Sequence, residues 1–272
     1  MLLQVGHLRT AAPRLEEAVA RLSVHGAAGV TYELGSLTDQ LPEIRAWLDR
    51  LSGDPDWAYY FYNSDVEFAL ALAEALPAGD TGDAGDTEGV ARTGDGWHVA
   101  SGRPVIWFGD AHFDADLVLD GPLVVLGNLT VAGLLSDGDV DRSFLAVTGD
   151  VRTRALLTGA FDLVLGDLHA DVVVCFNNDG GLGVGGDLMA DLFVQDDHSY
   201  EVAGEMRVRL PVLDWLAGDT DLDPITAKDA AAWLPPGYLD EDEDGDGDGL
   251  DTWRILEETA AGNSPLLTEP RS

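Results

Sequence analysis

Apolar residues in the middle of the chain fall into short runs, and the runs are spaced by glycine. A Gly, a small polar or acidic residue and usually an apolar residue recur in order six times, at Gly109, Gly127, Gly149, Gly166, Gly186 and Gly204. The intervals between these glycines are 18, 22, 17, 20 and 18 residues. Recurrence with a period near 20 residues indicates stacked coils of one repeated unit.

The apolar positions that follow each Gly alternate, as in Leu129 and Val131 or Leu168 and Ala170. This period is typical of a strand with one buried face, and a second apolar run precedes each Gly. We therefore predict a mainly β fold, a parallel β-solenoid of about six coils over residues 97–209, with a rod length of roughly 25 Å. A β-sandwich with glycine turns is the alternative. The glycines are expected to adopt positive φ at corners.

The N-terminal part has helical rather than strand periodicity. Residues 1–76 predict a helical or α+β cap, with helices at 11–23, 36–51 and 64–76 and a strand at 57–62. Residues 77–96 are rich in Gly, Asp and Thr and predict a flexible acidic linker.

The C-terminal part, residues 210–272, predicts a second helical cap with an acidic loop. Its expected helices lie at 212–216, 226–234 and 251–260. Because open solenoid ends expose unpaired strand edges, we expect the two flanking parts to close the ends of the rod.

The charge of the chain restricts its partners. It has 15 basic and 50 acidic residues, which gives a formal net charge of −35. Such a surface repels nucleic acid and anionic lipid, so we expect neither direct nucleic-acid binding nor membrane binding, and a basic protein as partner. High acidity also serves plain solubility. The single cysteine, Cys175, lies in an apolar run and is expected to be a buried small hydrophobe. No secretory signal or membrane span is evident, so a cytoplasmic location is expected.

The coils that begin at Gly127 (Gly-Asn-Leu-Thr-Val) and Gly166 (Gly-Asp-Leu-His-Ala) resemble those of bacterial β-solenoid repeat proteins of the bactofilin-like type. The resemblance covers about residues 105–209. It implies a non-enzymatic, polymer-forming scaffold. The chain departs from that family in its irregular coil lengths, its helical N-terminal part and its acidic C-terminal part, which puts polymerisation in question.

The longer coils add polar residues nine to twelve positions after the glycine, and we expect these to stack on one edge of the rod as a partner-binding face. The residues of this expected face are Asp137, Asp139, Asp141, Asn177, Asn178, Asp179, Asp196, Asp197 and His198. The alternative is that these Asn and Asp residues only form solvated turns. Asp196, Asp197 and His198, with Asp179, could also ligate a divalent metal, although no fixed ligand spacing supports it.

A second metal candidate is the acidic loop at residues 240–251, which matches the order of an EF-hand calcium loop. The candidate ligands are Asp240, Asp242, Asp244, Asp246, Asp248 and Asp251. Position 12 of the loop is Asp where Glu is usual, and Pro235-Pro236 interrupts the helix that would enter it. An acidic low-complexity segment would give the same residues by chance.

We find no catalytic motif of known spacing, so an enzyme is not expected. The sequence predicts a non-enzymatic protein-binding module, an immunity or inhibitor protein whose acidic solenoid edge covers a basic surface of a toxin or nucleic-acid enzyme. The alternatives are a structural scaffold that assembles through solenoid ends and a calcium-binding interaction protein. The oligomeric state and the role of the N-terminal part are not determined by the sequence.

Overall fold

The glycine-spaced segment forms a β-solenoid in a computed structural model of the chain. The structure describes residues 1–26, 41–42, 44–46, 48, 50, 66–77, 87–94, 96–100, 102–137, 142–176, 180–196, 198–213, 225–239 and 249–271. The predicted parallel β-solenoid of about six coils is confirmed, because equivalent strands of successive coils pair in parallel. This pairing excludes the sandwich.

Each coil contributes one strand segment to each of three lateral faces. Face 1 consists of β3 (Val105–Phe108), β6 (Leu123–Leu126), β9 (Phe144–Val147), β12 (Phe161–Val164), β14 (Gly181–Val184) and β16 (Ser199–Val202). Face 2 consists of β4 (Ala111–Phe113), β7 (Leu129–Val131), β10 (Val151–Arg152) and the first halves of β13 (Leu168–Phe176), β15 (Leu188–Asp196) and β17 (Met206–Leu213). Face 3 consists of β2 (Gly96–Val99), β5 (Leu117–Leu119), β8 (Leu134–Asp137), β11 (Ala155–Thr158) and the second halves of β13, β15 and β17.

Alternation along each strand sends every second side chain into the rod. Leu129 and Val131 on face 2 point inward and are almost fully buried, whereas Thr130 between them points outward. The inward residues of all three faces form one continuous apolar core. Cys175 belongs to this core as a free, buried thiol, as expected.

Face 1 is covered by the N-terminal helices. These are α1 (Val5–Ala11), a 3₁₀ turn (Ala12–Arg14), α2 (Leu15–Gly26) and α3 (Val66–Ala75), and the described residues between 41 and 50 are also helical. Outward side chains of face 1 such as Ile106 and Phe144 pack in one cluster with Leu15 and Leu70. α3 lies across β6, β9 and β12. Burial of these apolar positions is what holds the helices to the rod.

Face 3 is covered by the C-terminal part of the chain. Here α4 (Ala227–Ala230) contacts β17, and α5 (Thr252–Ala260) contacts β8, β11 and β13. The outward residues Leu157 and Val174 pack against Ile255 and Leu256 of α5. Both flanking parts therefore lie mainly along lateral faces, whereas the sequence led us to place them at the rod ends.

Two of the three strands of the first coil are also paired at their outer edges, while β4 is a terminal strand among the described residues. Leu2 forms an antiparallel bridge with Val105, and β1 (Val90–Thr93) pairs antiparallel with β2. The expectation of a linker through residue 96 is therefore wrong from Val90 onward, since Val90 is buried and anchors a strand there.

One boundary at the C-terminal side also differs from expectation. The expected helix at 212–216 is wrong at its start, because β17 continues to Leu213. There Ile225 forms a parallel bridge with Val212. The expected strand at 57–62 lies outside the described residues. In the part of the chain that the structure describes, no helix combines the length and apolarity that a membrane span needs.

Candidate functional site

Face 2 is the lateral face on which the described helices do not pack, and its outward side chains are exposed or half-buried. These side chains form three rows along the rod, which we name by position. The corner row is Asp110, Asn128, Asp150, Asp167, Asp187 and Glu205, the residues directly after the repeated glycines. The central row is His112, Thr130, Arg152, His169, Met189 and Arg207. The bend row of the last four coils is Arg154, Asp171, Asp191 and Arg209.

The corner row is a hydrogen-bonded ladder. In each of the first five coils the side-chain Oδ1 accepts a hydrogen bond from the backbone N–H of the equivalent residue in the next coil. The five donor–acceptor distances are 2.8, 2.8, 3.1, 2.8 and 2.9 Å, from Asn128 N to Asp110, Asp150 N to Asn128, Asp167 N to Asp150, Asp187 N to Asp167 and Glu205 N to Asp187. The ladder uses one carboxylate oxygen of each Asp and fixes the row in register, which explains why the sequence repeats a short polar residue here.

The repeated glycines serve close stacking of coils. Gly109 has a positive φ of 82°, but the other five corner glycines do not. The expectation of positive φ is thus wrong for those five. A Cβ at Gly166 would lie 2.6 Å from the backbone carbonyl of Gly149, and one at Gly204 would lie 2.5 Å from the oxygen of Gly186. Glycine is required because the backbone of the preceding coil occupies the space of a side chain.

Basic side chains of the central row interact with the corner row. Arg207 contacts Glu205 at 2.7 Å and Asp187 at 3.2 Å. These contacts raise the pKa of the Arg207 guanidinium above its ordinary value, with the hydrogen bond to Glu205 as the largest cause. Arg152 lies 3.9 Å from Asp150, and His169 lies 4.0 Å from Asp167. The positive charges of Arg152 and Arg207 thus partly neutralise the carboxylates of the corner row.

The bend row carries two carboxylates on neighbouring coils, Asp171 and Asp191, which share one register position between the pairs Ala170–Ala190 and Val172–Leu192. The pKa of Asp171 is raised, first because its carboxyl is partly removed from water and second because Asp191 is negatively charged; Arg154 opposes the shift. A pocket of about 420 Å³ opens beside the pair. Its lining includes Arg152, His169, Asp171, Met189, Asp191 and Arg207.

Some of the polar residues that the sequence predicts to line one edge of the rod do stack in register. Their side chains point into the rod, however, and not into solvent. Asp137, Thr158, Cys175 and Gln195 occupy one column of face 3, as the nine-to-twelve offset predicts. The column faces the interior, and Asp137 is 1% exposed. Asp137 is therefore wrong as a partner-binding residue. Its Oδ1 accepts a hydrogen bond from Gly159 N at 2.9 Å, and burial, followed by the charge of the nearby Asp162, raises the pKa of its carboxyl.

The other residues of the expected edge do not form a surface among the described residues. His198 is 1% exposed, so it too is wrong as a contact residue. Asp196 is exposed at the end of β15 and stays a prediction. The remaining members, Asp139, Asp141, Asn177, Asn178, Asp179 and Asp197, lie outside the described residues.

The candidate metal ligands are also mostly outside the described chain, namely Asp240, Asp242, Asp244, Asp246 and Asp248. Asp251 is described and is the N-cap of α5, where its Oδ1 accepts a hydrogen bond from Arg254 N at 3.0 Å. Among the described residues no three His, Cys, Asp or Glu side chains are grouped as a metal site requires. Calcium binding at residues 240–251 stays an untested prediction.

Sequence reasoning missed the three rows of face 2, although a signal for them exists. Counted from each repeated glycine, the corner row stands at offset one, the central row at offset three and the bend row at offset five. Odd offsets alternate with the inward positions at offsets two and four, which are apolar except at Thr153. The parity of the strands therefore identifies all three rows as outward-facing.

Comparison of the chain with protein-family models, with curated proteins and with solved structures found no match. The chain is a β-solenoid repeat protein by its own geometry. The finer resemblance to bactofilin-like proteins rests on the coil sequences alone.

Proposed function

We propose that the protein is a non-enzymatic binding module that covers a basic surface of a partner protein with face 2 of its solenoid. A toxin or a nucleic-acid enzyme is the partner class that such an acidic face suits, which would make the protein an immunity or inhibitor protein. A basic partner is expected from the net charge of −35. The contact surface lies on face 2, because the column that contains Asp137 is buried.

One observation carries the proposal. The corner row holds five carboxylates in six successive coils at a spacing of about 4.8 Å, on the face that the described helices leave open. The ladder fixes their backbone, so little conformational entropy is lost when a partner docks. A rigid row of carboxylates that Arg152 and Arg207 neutralise only in part favours fast, salt-sensitive association with a basic surface.

The test exploits Asn128, which already fills a corner-row position without charge. A variant with Asp150→Asn, Asp167→Asn and Asp187→Asn removes three charges and retains every ladder acceptor. The matched control, Glu16→Gln, Glu17→Gln and Glu257→Gln, removes three charges from exposed positions on the covering helices. Purified basic nucleases serve as probes, with a basic carrier protein of similar net charge as the reference.

The affinity of a nuclease that binds should fall at least about tenfold in the face 2 variant and less than about twofold in the control, and it should weaken with rising salt. Equal losses in both variants would show that only the overall charge matters. An affinity that does not change with salt would contradict the electrostatic part of the proposal.

Assembly through solenoid ends, as in bactofilin-like scaffolds, is the alternative proposal. We favour the binding module because two of the three strands of the first coil already pair at their outer edges, through the Leu2–Val105 bridge and the β1–β2 pair. An added chain would have to displace these pairings. Sedimentation of the purified protein distinguishes the two: a monomer or closed dimer agrees with the binding module, and filaments would support the scaffold.

A further inference from the structure

The four arginines of the central and bend rows differ in what they bind. Arg154 and Arg209 of the bend row donate hydrogen bonds to backbone carbonyl groups. Arg152 of the central row lies 3.9 Å from a carboxylate oxygen of Asp150, which is too long for a hydrogen bond. Arg207, by contrast, is hydrogen-bonded to the corner row. Of the four, Arg207 therefore engages the carboxylates of the proposed docking row most closely.

Arg207 joins two corner-row carboxylates of neighbouring coils. Its Nε and one terminal nitrogen donate to the same oxygen of Glu205, at 2.9 and 2.7 Å. The same terminal nitrogen lies 3.2 Å from Oδ2 of Asp187. Oδ1 of Asp187 accepts the ladder hydrogen bond from Glu205 N at 2.9 Å. Both oxygens of Asp187 are therefore engaged by groups of the protein itself.

These contacts lie at the surface, where a partner can compete for them. The side chains of Arg207 and Glu205 are 55% and 72% exposed. Ion pairs with this exposure are weak, because water and salt screen the charges. A basic side chain of a partner must nevertheless displace the Arg207 guanidinium or share a carboxylate that is already neutralised. The guanidinium also repels an approaching cation.

The middle of the corner row is less occupied. Asp150 uses Oδ1 in the ladder, as the acceptor for Asp167 N, while its Oδ2 is 3.9 Å from Arg152. A basic partner thus meets a weakly compensated carboxylate at Asp150 and two paired carboxylates at the Arg207 end of the row.

We propose that Arg207 limits the affinity of face 2 for a basic partner, because its guanidinium occupies Asp187 and Glu205 in competition with the basic side chains of that partner. The inference rests on the proposed function and names a residue that regulates the same surface. The opposite role, in which Arg207 itself binds an acidic group of the partner, is an outcome that the experiment detects.

The variant Arg207→Gln keeps a polar side chain and removes the charge. Purified basic nucleases serve as probes, as in the test of face 2. The affinity of a nuclease that binds should rise at least about threefold, and the gain should shrink at high salt, because the released carboxylates act through their charge. An unchanged affinity would overturn the proposal. A loss of affinity would also overturn it, since Arg207 would then contribute a contact to the partner.

Two controls each remove one positive charge. Arg209→Gln changes the same strand two residues further on, where the arginine donates to the Leu267 carbonyl. Arg45→Gln breaks an ion pair of similar exposure on the covering helices, which joins Arg45 to Glu16 at 3.0 Å. Each control should raise the affinity less than about 1.5-fold. If Arg209→Gln gives the same gain as Arg207→Gln, local charge alone is responsible and the proposed competition is wrong.

Carboxyl footprinting of the free protein tests the contact without a partner. The rate at which a carbodiimide and an amine modify Glu205 should rise at least about twofold in Arg207→Gln, because the ion pair no longer protects the carboxylate. Glu16 should keep its rate in this variant and gain in Arg45→Gln. An unchanged rate at Glu205 would show that Arg207 does not hold this carboxylate in solution, and the proposal would be wrong.

The result is separable from that of the proposed function. If Arg207→Gln binds a nuclease as the unmodified protein does, while the variant with three corner-row Asp→Asn changes loses it, then face 2 is the docking surface and Arg207 does not regulate it. If no basic nuclease responds to either variant, the proposed function fails and this inference fails with it, whatever the footprinting shows.

Discussion

The carboxyl groups of Asp137 and Asp162 lie close together inside the solenoid, where each residue is 1% exposed and each carboxyl affects the pKa of the other. Asp137 belongs to face 3, and Asp162 stands on face 1 among the inward leucines Leu145 and Leu182. Two buried carboxyls this close avoid mutual repulsion only when at least one is protonated. Folding therefore changes the protonation of these two carboxyls.

The pair predicts that the fold loses stability as pH rises. Burial, followed by the charge of Asp162, raises the pKa of Asp137 well above its ordinary value, and burial raises that of Asp162 to about 6. Because both folded-state values exceed the unfolded value, the folded state binds more protons, and this stabilisation disappears as pH rises from about 4 through 6 and beyond. Chemical unfolding at pH 5 and pH 8 should give a lower free energy of unfolding at pH 8.

The variant Asp137→Asn distinguishes the effect of the buried pair on stability from the effect of the high net charge of the protein. The amide can donate to Asp162 as a protonated carboxyl does, so the variant should be more stable than the unmodified protein at pH 8 and should show a smaller difference between the two pH values. The exposed Asp196→Asn is the control for loss of one charge. If both variants respond alike to pH, the buried pair is not the cause.

The ladder predicts different outcomes for two substitutions of Asp167. Asp167→Asn keeps an oxygen for Asp187 N, so the free energy of unfolding should change by less than ~0.5 kcal/mol. Asp167→Ala leaves this N–H without its acceptor and should cost about 1–2 kcal/mol. Urea unfolding measures both. Equal stability of the Asn and Ala variants would show that the ladder does not contribute.

The stacking role of glycine predicts that Gly186→Ala destabilises the protein by about 2 kcal/mol. The added Cβ would meet the Gly166 carbonyl at 2.8 Å and also the Oδ1 of Asp167, although φ at this position is not positive. The control is Gly6→Ala in α1, where nothing lies within 4 Å of the new Cβ and helix propensity should add roughly 0.5–1 kcal/mol of stability. A neutral Gly186→Ala would contradict close coil stacking.

The sequence predicted the coils and their register but not the direction in which one polar column points. The glycine spacing places Asp137, Thr158, Cys175 and Gln195 in line, and they are in line. Strand alternation predicts that these residues point inward, as Leu135 and Leu156 two positions earlier do. Their polar character instead suggested an edge that faces solvent. The protonated Asp137–Asp162 pair makes the burial of carboxyls possible, and such pairing between faces has no signature in local sequence.

Helical periodicity predicts where the N-terminal and C-terminal helices lie in the sequence, but not which face of the solenoid they cover. Helical spacing predicted α2, α3 and α5, but not the surface to which each helix binds. The apolar outward positions of face 1 and face 3, such as Ile106 and Val174, mark the covered faces. On face 2 the equivalent positions are polar or charged except at Met189, which is why that face stays open among the described residues and why it is the candidate site.

The most direct test of the account is carboxyl footprinting of the complex with a basic nuclease that binds the protein. Carboxyl groups are modified with a carbodiimide and an amine, and mass spectrometry compares the extent of modification in the free and bound states. The account predicts that Asp167, Asp187 and Asp191 are modified in the free protein and protected in the complex, while Glu16 and Glu257 are modified equally in both. Protection at Glu16 or Glu257 with unchanged modification of the face 2 carboxylates would contradict it.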